Sequence, residues 1–152
     1  EVVIRHAGDP EGARVLTRFM LIFGLGISAL VALVAATPLG EVWYVDLERI
    51  PEDGMSMARL ATWLMVPMPF LTFLISYWQG MLVHAHQTRP ISEGVGIGLA
   101  TIGLVLVIFV SLGTVPGGVA ATLAITVAGV LQAVWLAIRW NGVRRRGIVA
   151  AA

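Results

Sequence analysis

The chain has 152 residues, of which 58% are hydrophobic and 12% are charged, and its formal net charge is +1. A soluble domain of this size could not bury so much apolar surface, so the composition indicates an integral membrane protein. The small net charge gives no reason to expect a nucleic-acid partner. The sequence contains no cysteine, which excludes disulfides and thiolate metal sites.

Four segments are long and apolar enough to form spanning helices, which need about 20 largely apolar residues. We therefore predict an all-α, polytopic membrane protein with four transmembrane helices at about 11–36, 56–82, 91–112 and 119–140. Asp9 is a suitable N-cap for the first helix, Pro10 fits its first turn, and Glu11 suits the positive end of its dipole. We interpret residues 19–36 as wholly apolar.

Residues 41–57 form the only sizeable polar segment between the predicted helices, and they include five acidic residues and one arginine. Trp43 and Tyr44 near its start are typical of a membrane–water interface. A solvated loop or a short interfacial helix explains this segment more simply than a mouth that collects cations.

The second predicted helix has Pro67 and Pro69 near its middle. A proline removes a backbone N–H group and bends the axis, so a membrane helix tolerates it where neighbouring helices or a cavity satisfy the freed carbonyl groups. The two prolines therefore indicate a bend in a helix that moves or lines a cavity.

Uncharged polar side chains are the candidates for contact with a substrate, because no Asp, Glu, Lys or Arg falls inside the predicted hydrocarbon core. Thr72, Ser76 and Gln79 share one face of the second helix, and Gln132 on the fourth helix carries an amide that needs several partners. We take these four residues as substrate-cavity candidates. Hydroxyl groups such as that of Thr126 more often bond to their own backbone or to a neighbouring helix, so a structural role remains the simpler alternative.

The third predicted helix begins with closely spaced glycines that include Gly94 and Gly98. No strand precedes them and no acidic residue follows at the distance that a dinucleotide-binding fingerprint requires. We therefore interpret Gly94 and Gly98 as a helix-packing pair, because small residues four apart let two membrane helices approach closely. The uncharged turn at 113–118 predicts that the third and fourth helices form an antiparallel hairpin.

The arginines are distributed unequally between the two sides of this four-span arrangement. Arg49 and Arg59 fall on one side, and the other eight fall on the opposite side: Arg5, Arg14, Arg18, Arg89, Arg139, Arg144, Arg145 and Arg146. The positive-inside rule then predicts that both termini of this segment are cytoplasmic and that the acidic segment is external. We expect the membrane to be the inner, or plasma, membrane of a bacterium.

No arrangement of residues in the sequence predicts catalysis. The three histidines are His6, His84 and His86, and the last two point in different directions on a helix. A turn that faces lipid phosphates explains His84 and His86 better than a metal site does. We predict no catalytic residues, no metal and no cofactor, and therefore a protein that is not an enzyme.

Several segments together resemble a known transporter superfamily. The hydrophilic sequence AGDPEGAR at 7–14 leads into an apolar helix, and after the acidic segment a long helix ends in YWQGMLVHAHQTRPIS at 77–92. This pattern, with Gln79-Gly80 followed by Thr88-Arg89-Pro90, resembles the multidrug/oligosaccharidyl-lipid/polysaccharide (MOP) flippase superfamily, which includes the multidrug and toxic compound extrusion (MATE) exporters. The resemblance covers about 7–139. The sequence PLGEVWYVDL before the proline-containing helix is also similar to bacterial relatives of the progressive ankylosis protein, an exporter of small anions.

The resemblance implies a partial MOP/MATE-like lobe, corresponding to the last four helices of the second six-helix lobe. The parent transporter would rock its two lobes around a central cavity, and this chain would supply one wall. Since Glu1 is not an initiator methionine and no signal-peptide pattern follows it, we expect the chain to be part of such a longer protein. The resemblance also implies that the family's cation-binding acids, where present, lie on helices that the chain does not contain, so no such residue is assigned in this sequence.

We therefore expect part of a secondary active transporter or flippase that exports a small molecule or a lipid-linked substrate by alternating access. Its expected partners are the lipid bilayer, the remaining helices of the parent transporter and the substrate. The alternative is a small four-helix accessory or assembly subunit without transport activity.

Overall fold

The computed structural model describes residues 10–47, 49–51, 54–113 and 115–145. The regular elements in this part of the chain are helices, namely α1 (Pro10–Ala36), α2 (Leu39–Glu41), a π-helical segment (Val42–Leu47), α3 (Met55–Met65), α4 (Met68–His84), α5 (Arg89–Leu112) and α6 (Gly117–Arg145). Among the described residues, four stretches are long and apolar enough to cross a membrane, namely Arg14–Ala36, Met55–His84, Arg89–Leu112 and Gly117–Arg145. The prediction of an all-α membrane protein with four spanning segments is confirmed.

The acidic segment after α1 is helical over much of its described length. α2 and the π-helical segment follow α1 closely, and Gly40 permits this path because a Cβ there would lie only 2.6 Å from the Val34 carbonyl oxygen. Tyr44 is 6% exposed, and its hydroxyl donates to Thr62 Oγ1 at 2.5 Å. This bond attaches the acidic segment to α3.

The second spanning segment, Met55–His84, is interrupted in its helical hydrogen bonding at Val66 and Pro67, although both residues keep right-handed helical dihedral angles. α3 ends at Met65 and α4 begins at Met68, so Val66 and Pro67 lie in a turn between them. The sequence predicted a bend at this position. The structure has a break in the helical hydrogen bonding here, because Pro67 and Pro69 remove two backbone donors within three residues, and we call this segment the broken helix.

The four spanning segments form an open row rather than a closed bundle. α1 packs against α3 and α4, these two helices pack against α6, and α6 packs extensively against α5. α4 and α5 are joined by the short turn at 85–88 yet make little contact with each other. Exposed apolar side chains on the outer faces of α1 and α5 are consistent with lipid contact.

α6 is the central packing element of the row, since it contacts α3, α4 and α5. Its small residues Ala120, Ala124, Ala128 and Gly129 are buried. A Cβ added to Gly129 would lie 3.4 Å from Met68 Sδ. Small side chains let the helix backbones approach closely. The resulting van der Waals packing stabilises the contact in lipid, where helices gain no hydrophobic driving force from associating.

A cluster of buried apolar side chains lies where the end of α4 meets the end of α6. It contains Met81, Leu82, Ala85, Leu136, Trp140 and Val143. Leu82 and Leu136 are 0% exposed. This core holds the α4–α5 turn against the last turns of α6.

Candidate functional site at the broken helix

The break between α3 and α4 changes the hydrogen bonding of the backbone around it. Pro67 and Pro69 have no N–H, so the carbonyl groups of Trp63 and Met65 lose the donors that a continuous helix would give them. Val66 N–H donates to the Trp63 oxygen at 3.3 Å, which tightens the last turn of α3. Leu71 N–H donates to the Pro67 oxygen at 2.9 Å, and regular helix continues from there.

Hydroxyl groups from two neighbouring helices satisfy backbone groups beside the break. Phe70 N–H donates to Ser28 Oγ of α1 at 3.2 Å, and Thr126 Oγ1 of α6 donates to the Leu64 oxygen at 2.9 Å. α4 is thus bonded to α1 while α3 is bonded to α6. Such partners are needed at membrane depth, where no bulk water reaches an unpaired backbone group.

Ser28 corrects the interpretation of residues 19–36 as wholly apolar. It is the one hydroxyl-bearing residue in that segment, and it is 8% exposed. A single serine within an apolar span is a signal for a bond between helices. The partner, a backbone N–H on another helix, could not be identified from the sequence.

A groove of about 550 Å³ lies between α1 and the two halves of the broken helix. Its lining is mostly apolar and comprises Val31, Ala61, Thr62, Met65, Met68, Pro69 and Thr72. Thr62 Oγ1 donates to the Ala58 oxygen, and Thr72 Oγ1 donates to the Met68 oxygen, each at 2.9 Å. Because each hydroxyl proton is already used, the threonines offer acceptor lone pairs rather than donors to a molecule in the groove.

The structure separates the four predicted cavity residues. Thr72 is the one among them that belongs to the described lining of the groove, beside the predicted bend residue Pro69. Ser76 is exposed further along α4, and Gln79 is half-buried. Gln132 lies between α5 and α6, where its Oε1 is 3.3 Å from the position that a Cβ on Gly98 would occupy.

Gly94 and Gly98 are buried at the contact between α5 and α6. A Cβ on Gly94 would lie 3.4 Å from side-chain atoms of both Trp135 and Leu136. Gly94 opposite Leu136 and Gly98 opposite Gln132 describe an antiparallel pair of helices. Gly113 closes the hairpin at its other end with a left-handed φ of 61°.

Most described arginines lie at the same end of the helix axes, that is, at the start of α1, around the start of α5 and at the end of α6. We call this end of the helices the arginine end, and its arginines are Arg14, Arg18, Arg89, Arg139, Arg144 and Arg145. The helices meet there, since Thr17 Oγ1 of α1 lies 3.2 Å from the Tyr77 hydroxyl of α4. Arg59 lies at the opposite end, 3.8 Å from Glu41. Arg5, His6, Asp9 and Arg146 lie outside the described residues.

A charged cluster at the arginine end was missed in the sequence analysis. The Glu93 carboxylate accepts hydrogen bonds from Arg89 Nε at 3.0 Å and from Arg139 Nη2, and thereby joins α5 to α6. The Arg139 guanidinium lies 4.5 Å from the centre of the Trp135 ring. The spacing of four between Arg89 and Glu93 was a visible signal, whereas the partner Arg139 is 46 residues away.

In the described part of the chain, no three His, Cys, Asp or Glu side chains come together in a way that could hold a metal ion. His84 ends α4, and His86 occupies the following turn with a φ of 55°. No family model, no curated protein and no solved structure matches the chain. The resemblance to the MOP superfamily therefore stays a prediction.

Proposed function

We propose that this chain is part of a secondary active transporter or flippase and that its broken second span lines the substrate path. The observation that carries the proposal is the break itself, at the middle of the spanning segment Met55–His84. Prolines that interrupt helical hydrogen bonding at membrane depth are tolerated where neighbouring helices or a cavity satisfy the freed backbone groups, and discontinuous helices form substrate sites in many transporters. Here the break borders a groove of about 550 Å³.

The groove suits an apolar or amphipathic part of a substrate. Its described lining has hydroxyl and sulfur atoms but no charged side chain. The acidic groups that would couple transport to an ion are therefore assigned to the remaining helices of the parent transporter. We place the protein in a bacterial inner membrane with the arginine end in the cytoplasm, because cytoplasmic segments carry an excess of arginine and lysine.

Alternating access can be tested by labelling a single cysteine from each side of the membrane. The full-length protein with Thr72→Cys would be treated with an impermeant thiol reagent in right-side-out vesicles and in inside-out vesicles. A groove that opens alternately to both compartments gives labelling in both preparations. Leu99→Cys on the outer face of α5 is the matched control, because Leu99 is 66% exposed on an apolar helix surface and should stay buried in lipid.

Labelling of Thr72→Cys from one side alone, or from neither, would contradict alternating access. That result would favour the alternative of a small accessory or assembly subunit, whose grooves need not open to both compartments. Equal labelling of the Thr72 and Leu99 positions would show that the reagent enters the bilayer, and the experiment would then be repeated with a larger charged reagent.

A further inference from the structure

The charged cluster formed by Arg89, Glu93 and Arg139 has no part in the proposed transport path. It lies at the arginine end between α5 and α6, away from the groove between α1 and the broken helix. The side chains of Arg89, Glu93 and Arg139 are 90%, 26% and 42% exposed, respectively. The carboxylate is thus largely covered, while both guanidinium groups reach the surface.

The cluster carries an excess positive charge, since two guanidinium groups face one carboxylate. Glu93 engages one nitrogen of each arginine, Nε of Arg89 and Nη2 of Arg139. Each guanidinium has five N–H donors in a planar fork, so most of these donors remain directed away from Glu93. The Arg139 guanidinium lies over the Trp135 ring, 4.5 Å from its centre, at a distance typical of a cation–π contact.

Both helices that carry the cluster are long and apolar enough to cross a membrane, namely Arg89–Leu112 and Gly117–Arg145. Val95 and Leu99 of α5 and Leu131 and Ile138 of α6 are all exposed. A cationic group at the ends of two apolar spanning helices lies where lipid head groups meet the hydrocarbon, and it therefore matches a molecule with an anionic head and hydrocarbon tails. Free phosphate would use the cationic group alone.

We propose that the arginine end of the α5–α6 pair binds the phosphate group of an anionic phospholipid, with Arg89 and Arg139 as its donors. The acyl chains lie along the exposed apolar side chains of α5 and α6. Basic sites between membrane helices are known to hold anionic head groups, and guanidinium groups suit phosphate because they donate two parallel hydrogen bonds. Such a lipid would bridge the two helices on the side where Glu93 already joins them.

The test is a titration of the full-length protein, purified in a neutral detergent, with phosphatidylglycerol, in which native mass spectrometry counts the bound lipids. Arg89→Gln should weaken binding of the first lipid about fivefold, because one arginine near an anionic surface contributes about that factor. Arg89 is an exposed residue, so its replacement should leave the fold intact. Phosphatidylcholine should bind more weakly to the wild-type protein than phosphatidylglycerol does.

Two variants with the same chemical change provide the controls. Arg59→Gln removes an arginine at the opposite end of the helix axes. Arg14→Gln removes an exposed arginine that lies at the arginine end but on α1. Neither should change binding of the first lipid. Equal weakening by Arg14→Gln and Arg89→Gln would overturn the proposal in favour of a diffuse positive field. Displacement of the lipid by equimolar inorganic phosphate would overturn it in favour of a site for a free anion.

Discussion

The backbone N–H of Phe70 donates to the side-chain oxygen of Ser28 at 3.2 Å, and this bond joins α4 to α1 at the point where the second span is broken. In a continuous helix this N–H would bond to the Val66 carbonyl, four residues earlier. Ser28 therefore replaces a helical acceptor with a side chain from another helix. The break is built into the packing of at least three helices, since Thr126 of α6 bonds to Leu64 on its other side.

Replacing Ser28 with alanine should destabilise the protein by about 1 kcal/mol, because Phe70 N–H would lose its acceptor at membrane depth. The measurement is unfolding of the full-length protein in mixed micelles with increasing denaturing detergent. Ser111→Ala is the matched control, as Ser111 is exposed near the end of α5. Equal stability of Ser28→Ala and the wild-type protein would show that the Phe70 N–H finds another acceptor.

Replacing both Pro67 and Pro69 with alanine should close the break, because each alanine restores an N–H to the carbonyl four residues earlier. We expect continuous helical hydrogen bonding from 55 to 84, a narrower groove and loss of Thr72→Cys labelling from at least one side of the membrane. Stability should be unchanged or higher, since helix propensity favours alanine over proline. The labelling experiment described above provides the measurement.

The single replacements show which of the two prolines accounts for the change in labelling of the double variant. Pro69→Ala restores a donor for Met65, which lines the groove, whereas Pro67→Ala restores one for Trp63, which already accepts from Val66. Pro69→Ala should therefore change labelling more than Pro67→Ala does. The opposite order would indicate that the turn at Val66, rather than the missing donor of Pro69, keeps the groove open.

Replacing Gly94 with valine should destabilise the α5–α6 hairpin by about 1–3 kcal/mol, the usual cost of overpacking. The added atoms would meet Trp135 and Leu136, whose side chains are already 3.4 Å from the position of a Cβ. Gly96→Val is the control, because nothing lies within 4 Å of a Cβ at Gly96. Thermal aggregation of the full-length protein in detergent would measure the difference. Equal effects of the two substitutions would argue against a packing role of Gly94.

Apolar composition and length were sufficient to predict the spanning segments, because a membrane imposes both a minimum length and an apolar surface on each helix. The sequence also located the discontinuity, since Pro67 and Pro69 act on their own backbone. It did not show which groups would satisfy the backbone atoms freed beside the two prolines. These groups belong to Ser28 and Thr126, which compensate for the break from helices that are distant in sequence.

The site residues show the same division between local and distant causes. The spacing of Gly94 and Gly98 is a local property, and both glycines lie at a helix contact. The shared face of Thr72, Ser76 and Gln79 is equally local, yet only Thr72 is in the described groove lining, because the groove follows the break rather than the face of α4. The bond between Glu93 and Arg139 depends on how two helices are placed against each other.

The position of α6 in the middle of the row has a consequence for the order of assembly. Leu82 of α4 is fully covered in a core to which Leu136 and Trp140 of α6 contribute, and α6 follows α5 in the chain. A ribosome therefore delivers α1, the broken helix and α5 before the helix that covers Leu82. Within this chain, the earlier helices are therefore in the bilayer before α6, and α6 inserts between the broken helix and α5.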